Sequence, residues 1–139
     1  MSENRAKDEF GVQYTGTLVV TTEDIADIMD AAGYGINYWA DAILHVGEWL
    51  GDDTCEHLAN GGKVIIRLRE PIEEGGKTSY EMDRDMLLKG IGTYLSYPAN
   101  DCGILFHNGV RMELDTGDID AEIADMIIQY ALFNELVFG

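Results

Sequence analysis

Apolar residues along the chain recur with two spacings, one typical of helices and one typical of strands. The first helical stripe, at positions i, i+3, i+4 and i+7, consists of Ile25, Ile28, Met29 and Ala32. It predicts a helix that opens at Thr21, with Asp24 completing an approximate capping box, and ends at Gly33. Similar spacing predicts two further helices, one from Asp83 to about residue 95 and one from residue 118 or 120 to 133.

Strand-like segments alternate with these helices. The clearest is residues 63–69, where apolar and polar side chains alternate, and residues 14–20 and 78–82 have a similar character. Residues 104–114 predict a hairpin, because Asn108-Gly109 is the typical sequence of a type I′ turn. Residues 34–62 fit a short strand, a helix or both.

The order of these elements predicts an α+β fold. We expect a single domain over residues 13–139, with a mostly antiparallel sheet and three main helices packed on it. Residues 1–12 are polar and mixed in charge, and they predict a flexible tail. The chain of 139 residues is long enough to bury a substantial core.

The charge is large and unevenly placed. The formal net charge is −17, although 46% of the residues are hydrophobic, so the composition is that of a globular protein and not of a disordered one. Between Lys7 and Lys63 there are eleven acidic residues and no basic one, and the segment after Arg111 has seven acidic residues and no basic one. The segment from Lys63 to Arg111, with both ends included, is neutral. This uneven placement favours recognition of a basic partner over a general solubility surface.

The acidic residues expected to contact this partner lie on the first helix, in the segment after it and on the last helix. They are Glu23, Asp24, Asp27, Asp30, Asp41, Glu48, Asp52, Asp53, Asp118, Glu122 and Asp125. Direct binding of nucleic acid is not expected, because the chain lacks clusters of Lys and Arg. A membrane span is not expected either, because no apolar run approaches about 18 residues.

The sequence gives little support for a metal site, a cofactor or catalysis. Cys55 and His57 are close in sequence, but a zinc site needs two further ligands and no CxxC or HxxxH spacing occurs. The three histidines lie on separate elements, and no serine has the context of a hydrolase nucleophile. We therefore expect a non-enzymatic protein without a metal or cofactor.

One aromatic stretch is unusual for its composition. Between Gly33 and Trp39 the chain holds two glycines, three aromatic residues and one amide, which is a composition that can line a small-ligand pocket. The candidate pocket residues are Tyr34, Asn37, Tyr38 and Trp39. The alternative is a tight turn that packs its aromatic side chains against the sheet.

The segment GINYWAD at residues 35–41 and the final segment ADMIIQYALFNELVFG at residues 124–139 carry a resemblance. With the first helix, they resemble a family of small uncharacterised proteins encoded by bacteriophages, prophages and mobile elements. The resemblance covers about residues 17–139, and it departs from the family pattern at Tyr34 and Asn134, where glycine is expected. It implies a mobile-element protein in a bacterial cytoplasm, and it implies no activity or functional residues.

Charge and context together favour one hypothesis. An acidic body can occupy the positively charged channel of a nuclease or CRISPR effector, with carboxylates in place of phosphates. We therefore expect an inhibitor, of the nucleic-acid-mimic type, that binds a host protein with a basic surface. The alternatives are a protein that sequesters a small nucleotide signal and an oligomeric accessory protein of a phage, for example a homodimer.

Overall fold

The computed structural model describes residues 8–14, 16–97, 100 and 103–139, and within them the chain forms seven strands and four helices. The strands are β1 (Glu9–Gln13), β2 (Thr17–Thr21), β3 (Ala40–Val46), β4 (Lys63–Leu68), β5 (Ser79–Met82), β6 (Leu105–His107) and β7 (Met112–Leu114). The helices are α1 (Thr22–Gly35), α2 (Thr54–Ala59), α3 (Arg84–Ser96) and α4 (Ala121–Phe133), with 3-10 turns at Ile36–Tyr38 and Thr116–Asp118.

The strands form two sheets and not one. The first sheet has the order β1-β2-β7-β6, with β2 and β7 parallel and the other neighbours antiparallel. The second sheet has the order β3-β4-β5 and is antiparallel throughout. The predicted α+β fold with a mostly antiparallel arrangement is confirmed, and the division into two sheets is the difference from the prediction.

Helix α4 is the central helix of the fold, since it packs against both α1 and α3. The predicted apolar stripe of α1 is fully buried, and so are Val64, Ile66 and Leu68 on one face of β4. Three helices of 13 or 14 residues cover the core, as expected, and α2 is a short fourth helix of six residues. The described part of the chain contains no helix long and apolar enough to cross a membrane.

The domain begins earlier than the predicted boundary at residue 13. Strand β1 starts at Glu9 and pairs along its whole length with β2. Its alternation is hidden in the sequence because Glu9, Gly11 and Gln13 point outward, while Val12 enters the core. The predicted tail is therefore wrong for residues 9–12, and its residues 1–7 lie outside the described residues.

The ambiguous segment 34–62 contains both a strand and a helix. Residues 40–46 are extended because they pair with β4, from Ala40 opposite Leu68 to Val46 opposite Lys63. Trp49, whose spacing also fitted a helix, lies in the bend after β3 and is half exposed. Pairing with a distant strand therefore decides the structure of this segment over its local spacing.

The predicted hairpin is confirmed, but its predicted turn type is wrong. His107 pairs with Met112, so the loop holds four residues, and only Gly109 has a positive φ, of 95°. A type I′ turn would need a positive φ at Asn108 as well. The Asn108 side chain instead accepts hydrogen bonds from the amides of Val110 and Arg111, both at 2.9 Å. These bonds give both loop amides an acceptor without a positive φ at Asn108.

Candidate functional site

A groove between α1 and the start of α2 is lined mainly by carboxylates. Its volume is about 270 Å³. The lining residues are Glu23, Ala26, Asp27, Asp30, Asp53, Cys55 and Glu56. Helical spacing places the α1 acids on one side of it, and the N-cap Asp53 and first-turn Glu56 of α2 supply the other side. Four of the predicted partner-binding acids therefore lie in one groove.

Acids from the far end of the sequence lie beside this groove. Thr116 donates a hydrogen bond of 3.2 Å from its hydroxyl to Oδ2 of Asp27. The 3-10 turn that carries Thr116 also carries Asp118, and the neighbouring Asp115 raises the pKa of Asp118 through its negative charge and a hydrogen bond. We call the groove acids together with Asp115 and Asp118 the acidic face. The two acidic sections of the sequence thus converge on one surface.

The acidic environment also acts on Cys55, a half-buried free cysteine in the groove lining. Burial, reinforced by the charges of Asp53, Asp30 and Glu56, raises the pKa of the Cys55 thiol to about 11. Because the thiolate is the reactive form, the structure argues against Cys55 as a nucleophile at neutral pH.

We expect Cys55 to react slowly with iodoacetamide at pH 8 and much faster above pH 10, because a raised pKa keeps the thiol protonated until high pH. Mass spectrometry of the peptide that contains Cys55 measures the rate. The chain unfolded in urea is the control. Its Cys55 should react at least about tenfold faster at pH 8 than Cys55 in the folded chain. Equal rates in the folded and unfolded chain would contradict this environment.

Two of the predicted binding acids have structural roles in the fold. Asp24 completes the predicted capping box of α1, since its Oδ2 accepts from the Thr21 amide at 3.0 Å and its own amide donates to the Thr21 hydroxyl at 3.1 Å. Burial raises the pKa of Asp24 against the opposing effect of these hydrogen bonds. Asp41 pairs with Arg67 at 2.8 Å on the surface of the second sheet.

Three further acids are not part of the groove lining. Glu48 and Asp52 are in the loop between β3 and α2, where the Asp52 amide donates to the Glu56 carboxylate at 3.0 Å. Glu122 is exposed on the first turn of α4 and lines a different cavity, described below. The predicted acids therefore do not all share one surface, and the acidic face holds five of them.

Asp125 is a correction to the predicted outer face of the last helix. Its exposed fraction is 6%, and its Oδ1 accepts from the Trp39 indole Nε1 at 2.8 Å and from the Gln129 amide at 2.9 Å. The Tyr38 hydroxyl donates to its Oδ2 at 3.3 Å. Spacing along α4 placed Asp125 among polar residues, but the aromatic segment after α1 covers it. Asp125 is therefore not an exposed contact of a partner.

Gln129 joins this buried carboxylate to the end of the chain. Its Oε1 accepts from the amides of Val137 and Phe138, both at 2.8 Å, while its Nε2 bonds the Phe138 carbonyl oxygen at 3.3 Å. Phe138 stacks on Trp39 with ring centroids 4.9 Å apart and an interplanar angle of 7°. We call residues 136–139 the C-terminal strap, because they are held across α4 by these contacts.

Two cavities flank the strap. The larger one, of about 660 Å³, is lined by Gly35, Tyr38, Glu122, Asp125, Met126, Gln129 and residues 136–139. We call it the strap cavity. The second, of about 500 Å³, is lined by Tyr38, Trp39, Arg69, Glu70, Pro71, Ile72, Val137 and Phe138. Val137, Phe138 and Tyr38 form the wall between the two cavities.

The four predicted pocket residues are divided by the structure. Tyr38 lines both cavities and is 56% exposed, whereas Trp39 is buried and contributes to the second one. Asn37 accepts two hydrogen bonds from Arg69 on its carbonyl oxygen, and Tyr34 is 79% exposed without lining either cavity. The stretch therefore both packs its aromatic residues in the fold and contributes to a cavity.

His57 is a buried structural residue in this fold. Its Nδ1 accepts from the Leu50 amide at 3.0 Å, so the proton lies on Nε2, which is within 3.1 Å of the carbonyl oxygens of Val46 and Lys63. Within the described ranges, no three or more His, Cys, Asp or Glu side chains are grouped so as to hold a metal ion.

Several features of these sites were missed from the sequence. Glu56 and Asp115 belong to the acidic face, and Gln129 anchors the strap, but neither role was predicted. The only sequence signal for the buried network is the i, i+4 spacing of Asp125 and Gln129, which places two polar residues on one side of an otherwise apolar helix.

No protein-family model matches the chain, and no curated protein or solved structure matches it. The function is therefore inferred from the residues and from their geometry.

Proposed function

We propose that this chain is a non-enzymatic binding protein that presents its acidic face to a partner with a basic surface. The partner class that fits best is a protein that handles nucleic acid, such as a nuclease or a CRISPR effector. Carboxylates of the acidic face would take the place of phosphates, and the chain would act as an inhibitor in a bacterial cytoplasm.

The observation that supports this proposal is the hydrogen bond between Thr116 and Asp27. It brings Asp115 and Asp118, which follow Arg111, beside acids that precede Lys63, so that charges far apart in sequence add to one field. A concentrated field of one sign speeds encounter with a basic partner and disfavours acidic ones. Acids dispersed over the whole surface would do neither.

The alternatives have weaker support. The strap cavity is lined by two carboxylates and contains no basic residue, so it is a poor site for an anionic nucleotide signal. An oligomer mediated by the apolar segment 136–138 has less support, because Phe138 is packed against Trp39 and Phe133 and only Leu136 of this segment is exposed. An acidic protein that binds a basic partner remains the best-supported class.

The proposal predicts that removing charge from the acidic face releases the partner. We expect the triple variant Glu23→Gln, Asp27→Asn, Asp30→Asn to retain at least about tenfold less partner than the original chain, since each lost contact weakens a charge-driven interface. The measurement is capture from a bacterial lysate at low salt, with quantitative mass spectrometry of the bound proteins. Raising the salt should release the same proteins.

A matched control separates the position of the charges from their number. The variant Glu70→Gln, Glu73→Gln, Glu74→Gln removes the same three negative charges from the turn between β4 and β5. It should retain the partner. Equal loss of the partner in both variants would show that net charge, and not the position of the charges, determines binding. Retention of the partner by both variants would contradict the proposed function.

A further inference from the structure

The strap cavity has the lining of a site for a cation with an apolar stem. Its lining residues include Glu122, Asp125 and Tyr38, whose side chains carry oxygen atoms that can accept hydrogen bonds. Met126, Leu136 and Val137 supply apolar walls. Within the described part of the chain, the lining contains no Lys, Arg or His that would compete with an incoming positive charge.

Asp125 contributes to the strap cavity a buried carboxylate that forms no ion pair among the described residues. The three groups that donate to it, from Trp39, Gln129 and Tyr38, are all neutral. Among the described residues, no basic side chain forms an ion pair with Asp125 or with Glu122. A carboxylate that is 6% exposed favours a nearby positive charge more strongly than one in water, because the surrounding dielectric is low.

The acceptors are arranged for a donor with several N–H groups. Among the described residues, Oδ2 of Asp125 accepts only from Tyr38, at 3.3 Å, so it keeps capacity for another donor. The same Tyr38 hydroxyl contacts the carbonyl oxygen of Gly139, which places three oxygen atoms close together at the cavity wall. A guanidinium group has five N–H donors in one plane and stacks on aromatic faces, whereas an ammonium group has three donors at one point.

The cavity lining includes one exposed residue of the kind that anchors protein partners. Tyr38 is 56% exposed, and the apolar lining residue Leu136 is 44% exposed. Tyr34, which is 79% exposed, immediately precedes the lining residue Gly35. Tyrosines of this exposure are enriched at binding hot spots, so the occupant is better explained as a side chain of a protein than as a free metabolite.

We propose that the strap cavity receives an arginine side chain of the basic partner, with the guanidinium group between Tyr38, Glu122 and Asp125. This inference rests on the proposed function and names the residue type by which the partner is recognised. The acidic face would attract the partner from a distance, and the cavity would fix its position.

The test uses a single arginine and no partner. Nα-acetyl-arginine amide is titrated into the 15N-labelled chain at constant ionic strength, and the indole N–H resonances of Trp39 and Trp49 are followed by NMR. The Trp39 indole donates to Asp125, whereas Trp49 lies outside the cavity lining. We expect a saturable shift of the Trp39 signal, half complete at a concentration on the order of millimolar, and a much smaller shift of Trp49.

Two compounds and two variants make the result specific. The citrulline analogue, which keeps the shape and loses the charge, should not shift Trp39, and the lysine analogue should bind at least about fivefold more weakly than arginine. Glu122→Gln should weaken arginine binding about fivefold or more, whereas Glu74→Gln, in the turn between β4 and β5, should leave it unchanged. Equal binding of citrulline or lysine, or no saturable shift of Trp39, would overturn the assignment.

The two proposals fail separately. Retention of lysate proteins by the acidic-face triple variant would contradict the proposed function. Failure of the arginine titration, which contains no partner, would contradict the cavity assignment alone.

Discussion

Replacing Gly35 with alanine is expected to destabilise the chain by about 2–4 kcal/mol. Gly35 is the last residue of α1, where this helix crosses the start of α4. A Cβ atom at this position would collide with the main-chain carbonyl oxygen of Ala121 and would lie 3.1 Å from Cβ of Asp125. Main-chain atoms cannot rotate away as a side chain can, so one of the two helices has to shift.

The control for this substitution lies two residues earlier in the same helix. Among the described residues, no heavy atom lies within 4 Å of a Cβ at Gly33, apart from its chain neighbours and the backbone of its own helix. Gly33→Ala should therefore stabilise the chain by about 0.5–1 kcal/mol, because alanine is the better helix former. Urea unfolding with a shared m-value measures both variants. Equal effects at the two positions would contradict the close contact between α1 and α4.

Local sequence patterns were sufficient to predict the helix ends that have their own capping residues. Helix α1 begins at the capping box of Thr21 and Asp24, as its sequence predicts, although it continues past the predicted end at Gly33 to Gly35. Helix α4 ends at Phe133, as predicted, and Asn134 after it adopts a left-handed conformation with φ of 62°. In both cases neighbouring residues decide the structure, so a short window of sequence contains the information.

Long-range contacts decided the features that the sequence left open or misplaced. Residues 40–46 are extended because they pair with β4, about 20 residues further along the chain. Asp125 is buried because the segment that carries Trp39, 86 residues away in sequence, covers it, and the Trp39 indole donates a hydrogen bond to it. Helical spacing assigns a residue to a side of its helix, but it does not show which distant segment covers that side.

The acidic face and the strap cavity show the same division between local patterns and long-range contacts. The types and numbers of the acids were evident in the sequence, and so was the neutral middle section, in which acidic and basic residues balance. Their convergence depends on the packing of the Thr116–Asp118 turn beside α1, which no local pattern encodes. The strap cavity depends on Gln129 capturing the amides of Val137 and Phe138. Both sites are therefore products of tertiary structure.

The buried network leads to the second large effect, which is expected for Asp125→Ala. This substitution leaves the Trp39 indole and the Gln129 amide, both buried, without their shared acceptor. We expect a loss of about 3 kcal/mol, since unsatisfied buried donors are costly and bonds to a charged group are stronger than neutral ones. Urea unfolding measures the loss, and amide hydrogen exchange at Val137 and Phe138 should become faster as Gln129 loses its anchor.

Two further variants separate the hydrogen bonds from the charge. Asp125→Asn keeps one acceptor oxygen and removes the charge, so it should lose less stability than Asp125→Ala if the donors are the main requirement. Glu122→Ala, one turn earlier on the same helix and exposed, should change stability by less than about 1 kcal/mol. If Asp125→Ala were as mild as Glu122→Ala, the network would not be what holds Trp39 and the strap together. In that case aromatic contacts, the stacking of Phe138 on Trp39 and its edge contact with Phe133, would have to hold the strap in place.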